Sequence, residues 1–593
     1  FGWSTSPDYI FEKGAFQDVA IRVLYRPGDE ESWGNGIAVR RTAVALQWLD
    51  SLYGDYPYPQ VTNLHRLEGG GTEFPMLIMD GSASQSLILH EVGHIYAHGI
   101  LANNEWYEGW LDEGMSTFQT SWFSEVNGGG DRVWEGARRR IMEMDVRGLS
   151  EPVVMNAEAY AEQGVYSAMI YTKGSLVFWM LREMVGDDTM IRILREYYDR
   201  HRFTHVTSSD FQAVAEEVSG RDLDWFFGQW LHTTGTVDYG LKGLKVFASG
   251  NGAWTRFDLR RSGDLRMPVP VRLEGAGQVK DTVVHGMDLE RRVEIWTPFR
   301  PDRVVLDPHG TILDWNPTNG EWTRSWFDRH GSDVYLDNLL RAPRTALDQL
   351  PVGLSPLVWA NAGGWVAGFQ TRTSLLGFSN SLTRVGLPGF AVGDKGEDPG
   401  FDREGSVYWK LGNPLGRREA ILGSTSEMLW GEGRFALVSG WESDLRRHRL
   451  SGRPRAVRAT LAVVGVHEDG FLPAGRWSPG DRWLFEMGIG ARAGYRPGEL
   501  DVELDAASDV GFDTQDRRYV RGSLAADALA PLPGGWTFAL RFFGGVAAGL
   551  DPSGVVDGLR VDYAPRERMF SLGSGDPLQQ LGNPLVRSRG ALE

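Results

Sequence analysis

His90-Glu91-Val92-Gly93-His94 sets two imidazoles four residues apart, a spacing that stacks them on one face of a helix, close enough to hold a single metal ion. Glu91 then lies beside that ion. A zinc ion with three protein ligands keeps a fourth position for water and lowers the water's pKa to about 7, so an adjacent carboxylate can take its proton. That is hydrolytic chemistry, with Glu91 as general base. In the longer pattern H-E-x-x-H-x-x-G-x-x-H the third ligand would fall at Ile100, a side chain with no lone pair, so that arrangement is excluded. Glu113, within Trp110-Leu111-Asp112-Glu113-Gly114, could return from a second helix to complete a His, His, Glu site.

Working outward, the 593 residues exceed what a single hydrophobic core supports and predict several domains. A formal charge of -17 argues against a nucleic-acid partner, because neutralising phosphates needs an excess of Lys and Arg. With no cysteine in the chain, a zinc site must be built from His and carboxylates. The chain opens at Phe1 without a basic, then apolar, leader and ends abruptly at Glu593, which reads as a fragment of something longer. The longest uncharged stretch, Gln349 to Thr371, is broken as a helix by Pro351, Gly353, Pro356, Gly363 and Gly364, so no transmembrane helix is expected.

Helical periodicity runs from about Gly36 to residue 235, in segments such as Ser84 to Leu101, Gly109 to Val126, Val133 to Arg147, Tyr171 to Met184, Thr189 to Tyr198 and Ser208 to Glu217. This is an α-rich domain. Between about Leu241 and Asn316 the pattern changes to short alternating strands, among them Val269 to Leu273, Arg292 to Trp296 and Arg303 to Leu306, a length suited to one β-sandwich. After a polar stretch everything reads as strands and turns.

Leu89 to Thr117 resembles the gluzincin aminopeptidases of the aminopeptidase N type, in which an HExxH helix is followed, after an eighteen-residue gap, by the Glu of a W-L-x-E-G motif. The resemblance covers roughly residues 1 to 320. It implies a thermolysin-like catalytic domain with one zinc ion on His90, His94 and Glu113. Gly70-Gly71-Thr72-Glu73-Phe74 stands where that family has its G-x-M-E-N strand, with Thr72 and Phe74 in place of Met and Asn. The likeness makes Gly70 and Gly71 part of the substrate-binding strand and Glu73 the carboxylate that grips a peptide's free amino terminus. Tyr171-Thr172-Lys173-Gly174 is similar to the family's Y-x-K-G segment, whose tyrosine donates to the oxyanion, and Tyr166 matches a second tyrosine lining the site. His98, another step of four along the metal helix, reads as a packed or supporting histidine.

The last third alternates regularly. Phe485, Met487, Ile489, Ala491 and Ala493 fall on one face and Glu486, Gly488, Gly490, Arg492 and Gly494 on the other; Trp536, Phe538, Leu540 and Phe542 alternate with Thr537, Ala539 and Arg541. Strands near ten residues with one apolar face and one face of glycine, alanine and charge suit a membrane-spanning β-barrel. A soluble sandwich with one packed and one wet face gives the same alternation. The stretch Met569 to Leu592 is faintly similar to bacterial outer-membrane surface-antigen barrels.

The expected architecture is therefore multidomain α+β. It comprises a remnant of an N-terminal β domain (1–20), a thermolysin-like α-rich zinc peptidase domain (21–238), a β-sandwich (239–320), a linker (321–335) and an all-β, barrel-like C-terminal region (336–593). The expected function is zinc-dependent removal of amino-terminal residues from peptides, in the bacterial cell envelope. Two alternatives stay open: a zinc endopeptidase, and a β-barrel surface protein whose peptidase-like part only binds.

Overall fold

The computed structural model describes residues 2–324 except 67–68, 147–148, 286–287 and 315–316. Beyond 324 it describes 334–336, 352–361, 364–375, 379–387, 406–414, 422–431, 434–444, 455–466, 482–495, 501–513, 518–532 and 536–549. The chain divides into two compact units, one of residues 1–145 with 149–324 and the other, in the main, of 325–593.

The first unit begins with a five-stranded sheet whose spatial order is Ile10–Phe16, Val19–Tyr25, Gln60–His65, Leu77–Asp80, Gly71–Phe74. Val19, Ile21, Val23 and Tyr25 are buried while the residues between them are not, which is the period-two signature of a strand with one packed face. The structure draws the first boundary differently from the sequence. Ile10–Phe16 pairs antiparallel with Val19–Tyr25, which pairs in parallel with Gln60–His65. Ile10–Phe16, expected within the N-terminal segment 1–20, is therefore part of this sheet.

A helix over Ile37–Leu52 follows Gly36, whose left-handed φ of 71° turns the chain into it, and buries Ala38, Thr42, Ala45, Leu46, Leu49 and Leu52 along one stripe. The metal-motif helix, Gln85–His94, is capped by the Ser84 hydroxyl, which accepts from the backbone N–H of Leu87. It then widens into a π-helical turn over Ile95–Ile100 instead of running on as one regular helix. The next helix occupies Glu113–Ser124, preceded by a tight turn over Gly109–Leu111. Further on, Gln163–Ser167 passes through a second π turn, Ala168–Lys173, into Gly174–Val185. Asp187–His201, Ser208–Ser219 and Asp224–His232 complete the helical layer.

The expected β-sandwich residues form two antiparallel sheets. One orders Gln278–His285, Pro268–Gly275, Arg303–Leu306 and Glu321–Thr323; the other orders Glu290–Thr297, Gly252–Arg261 and Tyr239–Ser249. Val269, Val271, Leu273, Phe257 and Leu259 are buried. Glu321–Thr323, expected as the start of a linker, is the edge strand against Arg303–Val305.

Among the described residues of the second unit, twelve strands between Val334 and Gly549 form one sheet in strict sequence order, antiparallel except for the first pair. The expected barrel is thus present only as a continuous meander. Among the described residues the last strand, Trp536–Gly549, pairs with Arg518–Leu532 alone, so no closure is seen. Met569 to Leu592 lies outside the described residues. No described helix is long and apolar enough to cross a membrane.

Trp110 anchors the helical core. Fully buried, it stacks on Phe178 with ring centroids 4.7 Å apart and donates its indole N–H to the Ser208 hydroxyl at 2.9 Å. Removing it opens a large cavity and strands the hydroxyl, so Trp110→Ala should lower stability by about 3–5 kcal/mol, read as a reduced denaturant midpoint of the helical unit's transition.

Candidate metal centre and active site

The metal-motif helix and the Glu113 helix bring three donor atoms to one point. His90 Nε2 and His94 Nε2 are 3.0 Å apart, and Glu113 Oε2 lies 3.3 Å from the first and 3.2 Å from the second. Tetrahedral ligands bonded at about 2.0–2.1 Å sit about 3.3–3.4 Å from one another, close to the separations found here. Glu113 Oε2 is also buried and makes no hydrogen bond within the protein. A divalent cation such as zinc fits this donor set.

His94 is oriented from behind. Its Nδ1–H donates to Asp112 Oδ1, both residues being almost wholly buried, which leaves the Nε2 lone pair facing the centre. Burial alone would lower the His94 pKa, but the Asp112 and Glu113 carboxylates together outweigh it and hold it well above the ordinary value. For Glu113, burial pushes upward, yet the imidazoles of His90 and His94 hold it well below the usual carboxylate range. Asp112 is the functional residue that the motif reading passes over. Its signal was its place in Trp-Leu-Asp-Glu, directly before the ligand.

Glu91 is buried, with one carboxylate oxygen making no hydrogen bond. Burial pushes its pKa up to about 8, opposed by His94 and reinforced by Asp80 and Glu73. Asp80 is fully buried at the end of Leu77–Asp80 and is raised to about 8, again chiefly by burial. Gly70, with φ 79°, turns the chain into the strand Gly71–Phe74. A Cβ at Gly71 would stand 2.0 Å from Glu91 Oε1, so the glycine lets this strand close directly over Glu91. Two positions along, Glu73 brings its carboxylate within 4.8 Å of the His94 and Asp112 donor atoms. Burial raises its pKa, with Asp112 and Glu113 adding to the rise and His94 opposing it.

Tyr171 arrives on the second π turn and donates its hydroxyl to Glu113 Oε1, its ring stacked 6.3 Å from that of His90. The approach depends on two glycines. A Cβ at Gly114 would lie 3.0 Å from the Ile170 carbonyl oxygen, and one at Gly174 would lie 3.2 Å from Gly114 Cα. Backbones therefore touch where the Glu113 and Tyr171 segments cross. Tyr166 is half-buried beside them, its ring 6.4 Å from that of Tyr171, and burial pushes its pKa up to about 12. His98 is turned away from the centre. Its Nε2 meets Glu105 at 2.7 Å and its Nδ1 meets Asn103 at 2.9 Å, so it supports the loop leading to Glu113.

Residues 77–230 match the peptidase family M1 domain. The matched span holds His90, Glu91, His94, Glu113, Tyr166 and Tyr171, while Gly70, Gly71 and Glu73 stand just before it. Curated relatives agree in kind. Aminopeptidase 2, mitochondrial, of Saccharomyces cerevisiae is 24% identical over 263 residues, covering 40% of this chain and 27% of that protein. Aminopeptidase N of Streptomyces lividans is 22% identical over 328 residues, covering 51% and 37%. The chain thus spans well under half the length of these relatives. Among solved structures, Legionella pneumophila aminopeptidase A in complex with aspartic acid aligns with a TM-score of 0.44 at 15% identity, over 52% of this chain and 38% of that one.

Within the span that matches the M1 peptidase domain, Asp112 is expected to set metal affinity. Asp112→Asn removes the charge behind His94 and should weaken zinc binding by about 10–100-fold, measured by competition with a chromophoric chelator. Unchanged affinity would mean that Asp112 does not orient the ligand.

Proposed function

We propose that the chain is a zinc-dependent aminopeptidase that cleaves the first peptide bond of substrates with a free amino terminus. The observation that carries this reading is the convergence of His90, His94 and Glu113 on one point, with Glu91 and Glu73 flanking it from the neighbouring helix position and strand. One zinc ion held there would polarise the scissile carbonyl and acidify the attacking water.

The side chains divide the remaining work. Glu91 accepts the proton of the attacking water and passes it to the departing amine, and the strand packed over it keeps bulk water away. Tyr171 swings its hydroxyl from Glu113 to the developing oxyanion, a donor of a kind worth about 3 kcal/mol of barrier. Glu73 pairs with the substrate ammonium; since that charge is fixed relative to the centre, the register of cleavage is fixed at one residue. Tyr166 and the Gly70–Gly71 turn border the same space.

The proposal extends to placement. Residues 336–593 are read as an outer-membrane β-barrel that holds the peptidase in the bacterial cell envelope. Support comes from the alternation in sequence and from the uninterrupted next-neighbour order of the strands.

Purified protein should bind one zinc per chain and hydrolyse an aminoacyl-arylamide, with activity lost to a chelator and recovered on adding zinc. Glu91→Gln should keep the metal and lower kcat by about 10²–10⁴-fold. Acetylating the amino terminus of a peptide substrate should stop cleavage. Cleavage that survives acetylation would make the enzyme an endopeptidase, and zinc binding without turnover in the wild type would leave only a binding domain.

A further inference from the structure

The C-terminal sheet is built inside out. On strand Arg482–Tyr495, Met487 and Ile489 are 60% and 70% exposed, while Glu486, directly before Met487, is 5% exposed. The neighbouring strand Asp501–Asp513 repeats this, with Asp509 at 7% and Val510 at 46%. Cross-strand pairing makes each set continuous. Leu461 lies beside Met487 and Met487 beside Val510 on the open face; Ala462 lies beside Glu486 and Glu486 beside Gly511 on the sheltered one. In a water-soluble sheet the sheltered face is the apolar one. Here it is the reverse.

The sheltered face is organised around charge. Arg458, on Arg455–Val466, reaches across the intervening strand to Asp505, with its two terminal nitrogens 2.7 and 2.5 Å from the carboxylate oxygens. The residue it passes over is Gly490, where a Cβ would stand 2.6 Å from Arg458 Nε. Glycine on this face thus makes room for a bidentate ion pair that bridges three strands. A hydrophobic core cannot occupy the same side. Nor do the described residues of this unit include a helix or second sheet to cover the apolar side.

Strand length identifies the cover. The last five described strands have 12, 14, 13, 15 and 14 residues. At about 3.3 Å per residue they reach about 40–50 Å, which at a tilt near 45° spans about 28–35 Å, the thickness of a bilayer's hydrocarbon core. We propose that the face carrying Leu461, Met487, Ile489, Val510 and Leu540 contacts lipid acyl chains, and that the face carrying Glu486, Asp509 and the Arg458–Asp505 pair lines an enclosed polar interior. The inference rests on the outer-membrane reading of residues 336–593 and adds which side chains meet lipid.

The absence of cysteine from the whole chain permits a clean test. Single variants Glu486→Cys, Met487→Cys, Ile489→Cys, Asp509→Cys and Val510→Cys of the full chain, each carrying a nitroxide label, are reconstituted in phosphatidylcholine vesicles. Relaxation by oxygen, which partitions into lipid, is compared with relaxation by a water-soluble nickel chelate. Labels at 487, 489 and 510 should favour oxygen several-fold over labels at 486 and 509, giving a period of two. Vesicle-bound protein with equal nickel access on both faces, or with the preference inverted, overturns the face assignment while sparing the membrane reading. Protein that stays dispersed without detergent and does not sediment with vesicles overturns both. Labels at 487, 489 and 510 shielded from both reagents would instead show a second copy of the chain covering the face. Arylamide hydrolysis in the same variants is independent of all these outcomes.

Discussion

The candidate site depends on two helices and one widened turn approaching more closely than ordinary side chains permit. His90 and His94 can share a metal only if Glu113 arrives from a separate helix, and Tyr171 can reach Glu113 only if a third segment crosses it backbone to backbone. The contact between Gly114 and Gly174 meets that condition. It explains in steric terms why each of two distant motifs, Trp-Leu-Asp-Glu-Gly and Tyr-Thr-Lys-Gly, ends in glycine. Trp110 packs beside the same crossing, with its Cβ 3.2 Å from where a Gly174 Cβ would be, so core packing and site geometry are set at one place.

Close approach also concentrates charge. Glu73, Asp80, Glu91, Asp112 and Glu113 surround two imidazoles in a largely buried enclosure, and burial is the leading upward push on the four carboxylates other than Glu113 whose pKa is raised. Glu113 alone is driven down, because it alone faces both imidazoles. Such an enclosure favours cations. A divalent metal and a substrate ammonium are the two that the proposed reaction requires, and Glu113 and Glu73 are the carboxylates placed to receive them. The strand carrying Glu73 also closes over Glu91 at Gly71, so the roles proposed for Glu73 and Glu91 are linked through three consecutive residues.

Much of this was legible in the sequence because the determining patterns are local. The i, i+4 histidines, the Trp-Leu-Asp-Glu-Gly run and the strand over Arg303–Leu306 are each set by residues close together in the chain. What was missed depends on partners distant in sequence. Asp112 matters because its side chain points back to a histidine eighteen positions earlier (112 − 94). The role of Gly71 is visible only once Glu91 is beneath it. The π turns over Ile95–Ile100 and Ala168–Lys173 leave the apolar spacing nearly helical while changing which side chains face the centre. The sheet that the N-terminal hairpin joins is not legible either, because alternation shows that a strand exists without showing which sheet it joins.

The two β regions make the limit of alternation explicit. Pro268–Gly275 and Arg482–Tyr495 share a period of two, yet Val269, Val271 and Leu273 are buried while Met487 and Ile489 are open. Periodicity sorts residues onto two faces and is silent about which one is enclosed. The deciding information lies in what the other face carries. In Pro268–Gly275 it is Arg272, whose guanidinium pairs with Asp281 on the neighbouring strand at an exposed position. In Arg482–Tyr495 it is Glu486 with Gly488, which faces Asp509, and Gly490, over which Arg458 reaches to Asp505. Exposed charge implies water on that side and a dry core on the other. Sheltered charge with glycine implies a crowded polar face and leaves the apolar side open, which is the observation behind the proposed lipid contact.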